Sequence, residues 1–313
     1  MFSVLCIPLF ASLAVATPTP GPAIEPTRPA SIAAAAETLT VSTTWLAEHL
    51  HDPNVVVIEV GMESMGRSST DHIPGARMVD YHDITTDDGG LNTELPPIQA
   101  LVDLLTRIGV STGSRVVLYG APPPVVTRAF FALDYLGGTR PAILLGGLSK
   151  WKSEGRPVVA QLGAASHRGK LVPRPNPSVV VNAGWVRRHL GKPSIALVDT
   201  RTPSEYFGGA ERHGAVSGGH LPGARKLEWQ ELFSSGADFD LRSPAELRDI
   251  FSRRAHSGDT VITYCAVGYR ASATYFVARL LGYPARLYDG SYEGWSQLGY
   301  PLTRDTVALL APR

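Results

Sequence analysis

A single cysteine, Cys265, lies where an apolar β-type run ends and a helix-like run begins, in the segment VITYCAVGYRASATYFVARLLG at residues 261–282. Backbone N–H groups in such a turn point inward, and the dipole of the following helix favours negative charge at its N-terminus. A thiol held there is partly thiolate, which is the nucleophilic form of cysteine. The sequence therefore predicts that Cys265 is a catalytic nucleophile.

The loop that follows Cys265 has the composition of an anion site. Gly268 allows the tight curvature by which successive amides converge, and Arg270 adds a fixed positive charge near the sulfur. A buried structural cysteine is the alternative, because free cysteines are among the most buried residues, but a glycine and an arginine so close favour the anion site. We expect the substrate to contact the loop residues Ala266, Val267, Gly268, Tyr269 and Arg270.

Two copies of one pattern divide the chain. HIPGA at residues 72–76 recurs as HLPGA at residues 220–224, and the strand-like run VVLY recurs as VITY. Within each copy, short β-branched runs alternate with amphipathic stretches, which is the pattern of α/β domains built on a parallel sheet. The length of 313 residues suits two such domains, each with a core of its own.

The first copy lacks the residues that could do chemistry. Gly120 stands where the second copy has Cys265, Val125 stands in place of Arg270, and prolines occupy residues 122–124. Proline has no amide hydrogen, so the donors of an anion site are missing together with the nucleophile. The first domain is therefore predicted to be inactive.

A second arginine follows an earlier strand of the second copy. The second copy has Asp199-Thr200-Arg201 where the first has Glu59-Val60-Gly61. An arginine at that strand end can reach the pocket, although an isolated charge is more often a solvated or ion-paired surface residue. From the residues alone, both interpretations of Arg201 stay open.

Together, these features resemble the rhodanese (thiosulfate sulfurtransferase) superfamily, in particular its tandem-domain members, over about residues 38–305. The resemblance implies a fold of two tandem rhodanese-like domains, each a parallel β-sheet flanked by α-helices. It implies sulfur transfer through a persulfide on Cys265, without a cofactor. It also favours substrate binding by Arg201, because DTR matches the family's DxR element. The boundaries expected are 38–159 for the inactive domain, 160–178 for a linker and 179–305 for the catalytic domain.

The resemblance implies thiosulfate as the small-molecule sulfur donor and cyanide or a thiol as the acceptor. Val267 stands where mercaptopyruvate-using members have a serine, which weakens but does not remove that alternative. A cysteine phosphatase or arsenate reductase is less favoured, because four residues separate Cys265 from Arg270 whereas the phosphatase signature has five, and loop length sets the position of the donors. A persulfide carrier without rapid turnover is the non-enzyme alternative.

Composition limits the partners. The net charge is +1 and no run of Lys or Arg stands out, so nucleic acid is not expected as a partner. No cluster of Cys and His suggests a metal site.

Residues 1–17 form an apolar stretch that ends in small residues, like a secretory signal, although no Lys or Arg stands before the apolar run. Residues 1–36 are therefore predicted to be a signal peptide with a disordered segment, which predicts export to the periplasm or the medium without stable membrane insertion. A misassigned start would leave the protein cytoplasmic.

Overall fold

The computed structural model describes residues 38–62, 70–208, 218–234 and 238–304. The predicted signal peptide, residues 1–36, lies outside these ranges. In the described part of the chain, no helix is both long enough and apolar enough to span a bilayer.

The two sequence copies form two α/β domains, as predicted. The first contains β1 (Thr40–Val41), α1 (Thr43–His49), β2 (Val55–Gly61), β3 (Arg77–Asp80), β4 (Thr86–Asp88), β5 (Leu91–Glu94), α2 (Ile98–Arg107), β6 (Arg115–Gly120), α3 (Pro123–Leu136), β7 (Arg140–Leu144) and α4 (Gly147–Ser153). The second contains β8 (Val180–Val181), α5 (Ala183–His189), β9 (Ile195–Asp199), α6 (Pro203–Phe207), β10 (Arg225–Lys226), α7 (Pro244–Ser252), β11 (Thr260–Tyr264), α8 (Ala271–Leu280), β12 (Ala285–Tyr288) and α9 (Ser291–Gln297). Short 3₁₀ turns lie at Tyr81–Ile84, Pro177–Val179 and Trp229–Leu232.

Each domain contains a five-stranded parallel sheet of the same topology. The strand order is β1-β7-β6-β2-β3 in the first domain and β8-β12-β11-β9-β10 in the second. The central strands are apolar because both sheet faces are covered, which is usual for parallel sheets. The carboxyl ends of β9, β11 and β12 meet at one edge of the second sheet, and the loops there form the candidate site.

Successive side chains along a strand point to opposite faces of the sheet and pack in different apolar clusters. On β6, Val117 packs within the first domain only, whereas Leu118 packs in a cluster that continues into the second domain. On β11, Ile262 packs within the second domain only, whereas Val261 packs in the cluster that both domains share. Each domain therefore has its own core on one sheet face and shares the core on the other. This differs from the sequence prediction of two separate cores, because patterning shows that a face is buried but not what buries it.

Helices α3 and α8 pack against each other in the shared core through equivalent residues. Thr127 and Ser272 occupy equivalent positions, 145 residues apart, and their hydroxyl oxygens are 2.8 Å apart. Asp134 and Arg279 have the same spacing and form an ion pair. An interface in which equivalent residues meet is the signature of two-fold symmetry, so the two domains are related by a pseudo-two-fold axis through this helix pair.

The predicted linker is ordered against the first domain. The Gly169 N–H donates to the carbonyl of Thr106 at 2.8 Å, and the Asn176 N–H donates to the carbonyl of Tyr135 at 2.7 Å. Leu171 is buried in the shared core. These contacts fix the segment along α2 and α3 as it crosses to the second sheet.

Candidate active site

Cys265 immediately follows β11, and α8 begins six residues later at Ala271, as the sequence predicts. Its N–H donates to the Ser291 hydroxyl at 3.2 Å, and its carbonyl accepts a hydrogen bond from the Tyr292 N–H at 3.1 Å. The residue is 0% exposed. The backbone around the sulfur is therefore held by the start of α9, and the thiol is shielded from bulk water.

The loop after Cys265 has its carbonyls occupied and its amides available. The Ala266 carbonyl accepts from the Glu293 N–H at 3.0 Å, and the Val267 carbonyl accepts from the Thr93 hydroxyl. Among the described residues, no acceptor binds the N–H groups of Ala266, Val267 or Gly268. Successive amides without acceptors are what an anion-binding turn requires.

Gly268 is required by both its backbone and its surroundings. Its φ is +84°, a region that favours glycine, and a Cβ there would lie 2.8 Å from the carbonyl oxygen of Asp289. The loop therefore lies directly against the end of β12. Any larger residue would push the amides of the loop out of place.

Arg270 is held in a fixed orientation by Glu205. Two guanidinium nitrogens of Arg270 donate to the two carboxylate oxygens of Glu205, each at 2.7 Å. Burial opposes the charge of Arg270, but Glu205 and the neighbouring Cys265 raise its pKa above the ordinary value. Glu205 is itself fixed by a capping box with Thr202 at the start of α6. The cation beside the sulfur is thus permanent and oriented.

The ion pair with Arg270 gives Glu205 a pH signature. Burial works to raise the pKa of Glu205, but the hydrogen bonds from Arg270 outweigh it and lower the pKa to about 2. A carboxyl with a depressed pKa in the folded state stabilises the protein above its unfolded pKa and loses that contribution as the pH falls. In urea unfolding, Glu205→Gln should therefore be less stable than wild type at pH 7, and the difference should shrink between about pH 4.5 and 2.

Glu246→Gln is the matched control for Glu205→Gln. Glu246 closes the same kind of capping box, with Ser243 at the start of α7, but its side chain is exposed. Because glutamine can also close a capping box, Glu246→Gln should lose less stability at pH 7 than Glu205→Gln. Equal losses in the two variants at pH 7 would contradict a specific contribution from the pair of Glu205 with Arg270.

The Arg201 side chain is bound by groups near the end of its own strand, β9. Its guanidinium donates to the Asp199 carboxylate, with a shortest distance of 2.6 Å, and to the Gly219 carbonyl at 2.7 Å. It is 3% exposed and lies over the Tyr292 ring at 4.1 Å. These contacts hold the β9 loop and α9 together. Direct binding of the substrate anion by Arg201 stays a prediction, whereas a bracing role follows from the contacts.

The first domain supplies residues to the site that sequence reasoning missed. Arg128 on α3 is 0% exposed and donates to Asp289 at 2.5 Å. Thr93, on the β4–β5 hairpin, binds the carbonyl of Val267, and the Tyr81 ring packs edge-on against Tyr269 at 5.2 Å. The signals that could have indicated them were an arginine inside an apolar helix and a Gly-Gly turn at residues 89–90. The first domain therefore holds the loop after Cys265 in place.

The first domain has no loop equivalent to the one after Cys265. Helix α3 begins at Pro123, which is equivalent to Gly268, whereas α8 begins only at Ala271. The three prolines, which sequence analysis identified as missing donors, thus also extend the helix into the space that the loop would need. Val125 is 0% exposed and packs in the shared core.

A cysteine at Gly120 is expected to destabilise the protein and to provide no second nucleophile. Gly120 has φ +143°, and a Cβ there would lie 2.2 Å from the Val60 carbonyl oxygen. Gly120→Cys should therefore lower the free energy of unfolding by about 1–3 kcal/mol, measured by urea titration. Gly184→Ala is the control, because its Cβ would meet no atom closer than 3.4 Å. Wild-type stability of Gly120→Cys would contradict this account of the first domain.

No three His, Cys, Asp or Glu side chains of the described residues are grouped to hold a metal ion.

Comparison with known proteins supports the resemblance inferred from the sequence. A family model of the rhodanese-like domain matches residues 42–154 and 182–298. The sulfur carrier protein TtuD of Thermus thermophilus is 33% identical over 84% of this chain and 96% of its own length. A thiosulfate sulfurtransferase of Corynebacterium glutamicum is 31% identical over 82% of this chain and 87% of its own length.

A solved structure shares the fold over the described domains. The 3-mercaptopyruvate sulfurtransferase SseA of Escherichia coli superposes with a TM-score of 0.69 and 26% identity, and the match covers 82% of this chain and 99% of that one. Both domains are matched by the family model, and the matches cover 96% and 87% of the lengths of these two relatives. The chain therefore belongs to the rhodanese family of sulfurtransferases.

Proposed function

We propose that this enzyme takes the sulfane sulfur of thiosulfate onto Cys265 and passes it to cyanide or to a thiol. The thiolate attacks the outer sulfur of thiosulfate, the sulfur–sulfur bond of the donor breaks, and sulfite leaves with the bonding electrons. The acceptor then attacks the outer sulfur of the Cys265 persulfide and regenerates the thiolate. No external oxidant, reductant or cofactor is needed in this cycle.

The observation that carries the proposal is the loop between Cys265 and Arg270. It combines a strand-end thiol, amides of Ala266, Val267 and Gly268 that have no acceptor among the described residues, and a cation held in place by Glu205. Amides and a fixed cation stabilise an anion at the sulfur, in a site from which water is excluded. The same burial protects a persulfide from stray thiols.

Thiosulfate is favoured over 3-mercaptopyruvate by the side chains of the loop. Val267 offers no hydroxyl at the third position, and among the loop residues after Cys265 the only hydroxyl is that of Tyr269. The test is steady-state kinetics with cyanide as acceptor and each donor in turn. The proposal expects kcat/KM to be at least tenfold higher with thiosulfate. A higher value with 3-mercaptopyruvate would overturn the choice of donor but leave sulfur transfer intact.

Arg270→Ala should raise the KM for thiosulfate by about 10- to 100-fold, because one charge-assisted contact of about 1.5–3 kcal/mol is lost. The variant also leaves Glu205 as an unpaired anion beside the site. Glu205→Gln/Arg270→Ala removes that repulsion and isolates the loss of the cation. An unchanged KM in the double variant would show that Arg270 does not bind the donor.

A second candidate is a sulfur carrier that holds the persulfide without rapid turnover. Two observations favour it: Cys265 is fully buried, and a relative of 33% identity is named a sulfur carrier protein. A carrier would take up sulfur stoichiometrically but turn over slowly with thiosulfate and cyanide. Turnover numbers of at least about 1 s⁻¹ would favour the enzyme, since typical enzymes lie above that value.

We also propose export of the mature protein. Cys6 lies in the predicted signal, so its removal leaves Cys265 as the single cysteine of the chain. The mass of the protein recovered from its native host would test cleavage. A retained N-terminus in a cytoplasmic fraction would contradict export.

A further inference from the structure

A groove of about 710 Å³ lies between the β4–β5 hairpin of the first domain and strands β8 and β12 of the second. Its charged lining residues are Asp88, Glu94 and Asp289, and no Lys, Arg or His is found among the described residues that line it. Tyr135 and Tyr288 add aromatic surface. The groove is thus acidic and partly aromatic, and Cys265 does not line it.

Two buried polar atoms in this groove lack partners. Tyr288 is 1% exposed, and neither its hydroxyl nor the Oε1 atom of Glu94 has a hydrogen-bond partner among the described residues. A Cβ at Gly294 would lie 3.2 Å from the Tyr288 hydroxyl, and one at Gly290 would lie 3.8 Å from Glu94 Oε1. Both atoms therefore lie beside these two glycines, over which the Leu91 side chain packs, so a ligand reaches them by displacing Leu91. Burying a polar atom without a hydrogen-bond partner costs free energy, so a ligand that forms hydrogen bonds to both atoms would bind favourably.

The charges around Glu94 favour a cation. Burial raises the pKa of Glu94 to about 8, and the carboxylates of Asp289, Asp88 and Glu293 act in the same direction against the opposing charge of Arg128. Asp289 is already neutralised by its bond to Arg128. A positive ligand would relieve the repulsion on Glu94 and allow it to ionise.

We propose that the groove binds a small organic molecule with a protonated primary amine, whose ammonium group hydrogen-bonds to Glu94 and to the Tyr288 hydroxyl. The apolar body of the ligand lies against Tyr135 and Leu298, which is 55% exposed. A primary amine fits because its three N–H donors can satisfy both unpartnered oxygens at once. The groove is separate from the thiol, so the proposal does not depend on the identity of the sulfur donor.

Isothermal titration calorimetry tests this with three amines, phenethylamine, tyramine and tryptamine, each compared with its hydroxyl analogue. We expect at least one amine to bind with a 1:1 stoichiometry and at least tenfold more tightly than the analogue. Its affinity should rise between pH 6.5 and 8.5, since Glu94 then loses its proton while the amine keeps its own. Tight binding of an analogue, or no binding by any of the amines, would overturn the proposal.

Glu94→Gln and Tyr288→Phe should each weaken amine binding at least tenfold. Neither should unfold the protein, because glutamine keeps the shape of a protonated Glu94 and Tyr288→Phe removes only an unpartnered hydroxyl. Glu48→Gln, an exposed position on α1, should bind the amine like wild type. Cys265→Ser should also bind the amine like wild type, which separates this groove from the thiol. Unchanged binding in both Glu94→Gln and Tyr288→Phe would show that the amine binds elsewhere.

Discussion

Replacing Cys265 with serine is expected to abolish sulfur transfer, with kcat reduced by at least about 10⁴-fold. The hydroxyl of serine has nearly the shape of the thiol but cannot form a persulfide, and the first domain offers Gly120 in the equivalent position. Steady-state turnover with thiosulfate and cyanide measures the effect. Circular dichroism and urea unfolding of the same variant should match wild type, because the change is small.

Ala121→Ser provides the matched control, because it places a hydroxyl beside the equivalent loop position in the domain without the nucleophile. It should keep wild-type turnover. Residual activity of Cys265→Ser above one part in a hundred of wild type, with a folded protein, would mean that another group accepts the sulfur.

Replacing Arg128 with leucine is expected to cost about 3–5 kcal/mol of unfolding free energy, because it leaves Asp289 as a buried, unpaired charge. The Arg128 guanidinium is fully buried and also donates to the Thr93 carbonyl on the hairpin. Asp289 abuts Gly268, so the loop after Cys265 should lose its fixed position. Urea unfolding and kcat, measured on the same preparation, test both effects.

Two further variants separate charge from packing at this pair. Arg128→Leu/Asp289→Asn removes both charges and should recover part of the lost stability, since the unpaired anion is gone. Arg107→Leu, at an exposed position on α2, should change stability by no more than about 0.5 kcal/mol. If Arg128→Leu is as stable as Arg107→Leu, the pair does not brace the catalytic loop.

The fold and the position of Cys265 at the end of a strand could be predicted from the sequence because their signals are local. Cys265 lies between a strand and a helix, and Gly268 marks the tight bend of the turn that joins them. The structure contains this strand, turn and helix. The repeat predicted two domains because each copy carries its own pattern of strands and helices. The comparison of Gly120 with Cys265 identified the copy that carries the candidate nucleophile without any structural information.

The support of the loop could not be predicted, because it depends on residues distant in sequence. Arg128 and Asp289 are separated by 161 residues, and Thr93 and Val267 by 174. Nothing local to Arg128 shows that a carboxylate of the other domain faces it. Arg201 shows a related limit: the DTR motif favoured substrate binding, but it did not show that Asp199 also holds the guanidinium. Pairing of buried charges is a tertiary property.

The shared core could not be predicted for the same reason, because it forms between residues that are distant in sequence. The apolar face of α8 predicted burial, but the partner that covers Tyr275 is Phe131 of the first domain, with ring centroids 5.1 Å apart. Hydrophobic periodicity does not distinguish a surface buried within a domain from one buried between two domains. The second domain thus depends on the first for part of its core and for the support of the loop after Cys265.

Cys265 is expected to carry the transferred sulfur as a persulfide. Intact mass spectrometry after incubation with thiosulfate and removal of excess donor tests it most directly. The wild-type protein should gain about 32 Da, the mass of one sulfur atom on a covalent cysteine intermediate. The gain should disappear on addition of cyanide and should be absent in Cys265→Ser. A wild-type mass that stays unchanged, or a gain that persists in Cys265→Ser, would contradict it.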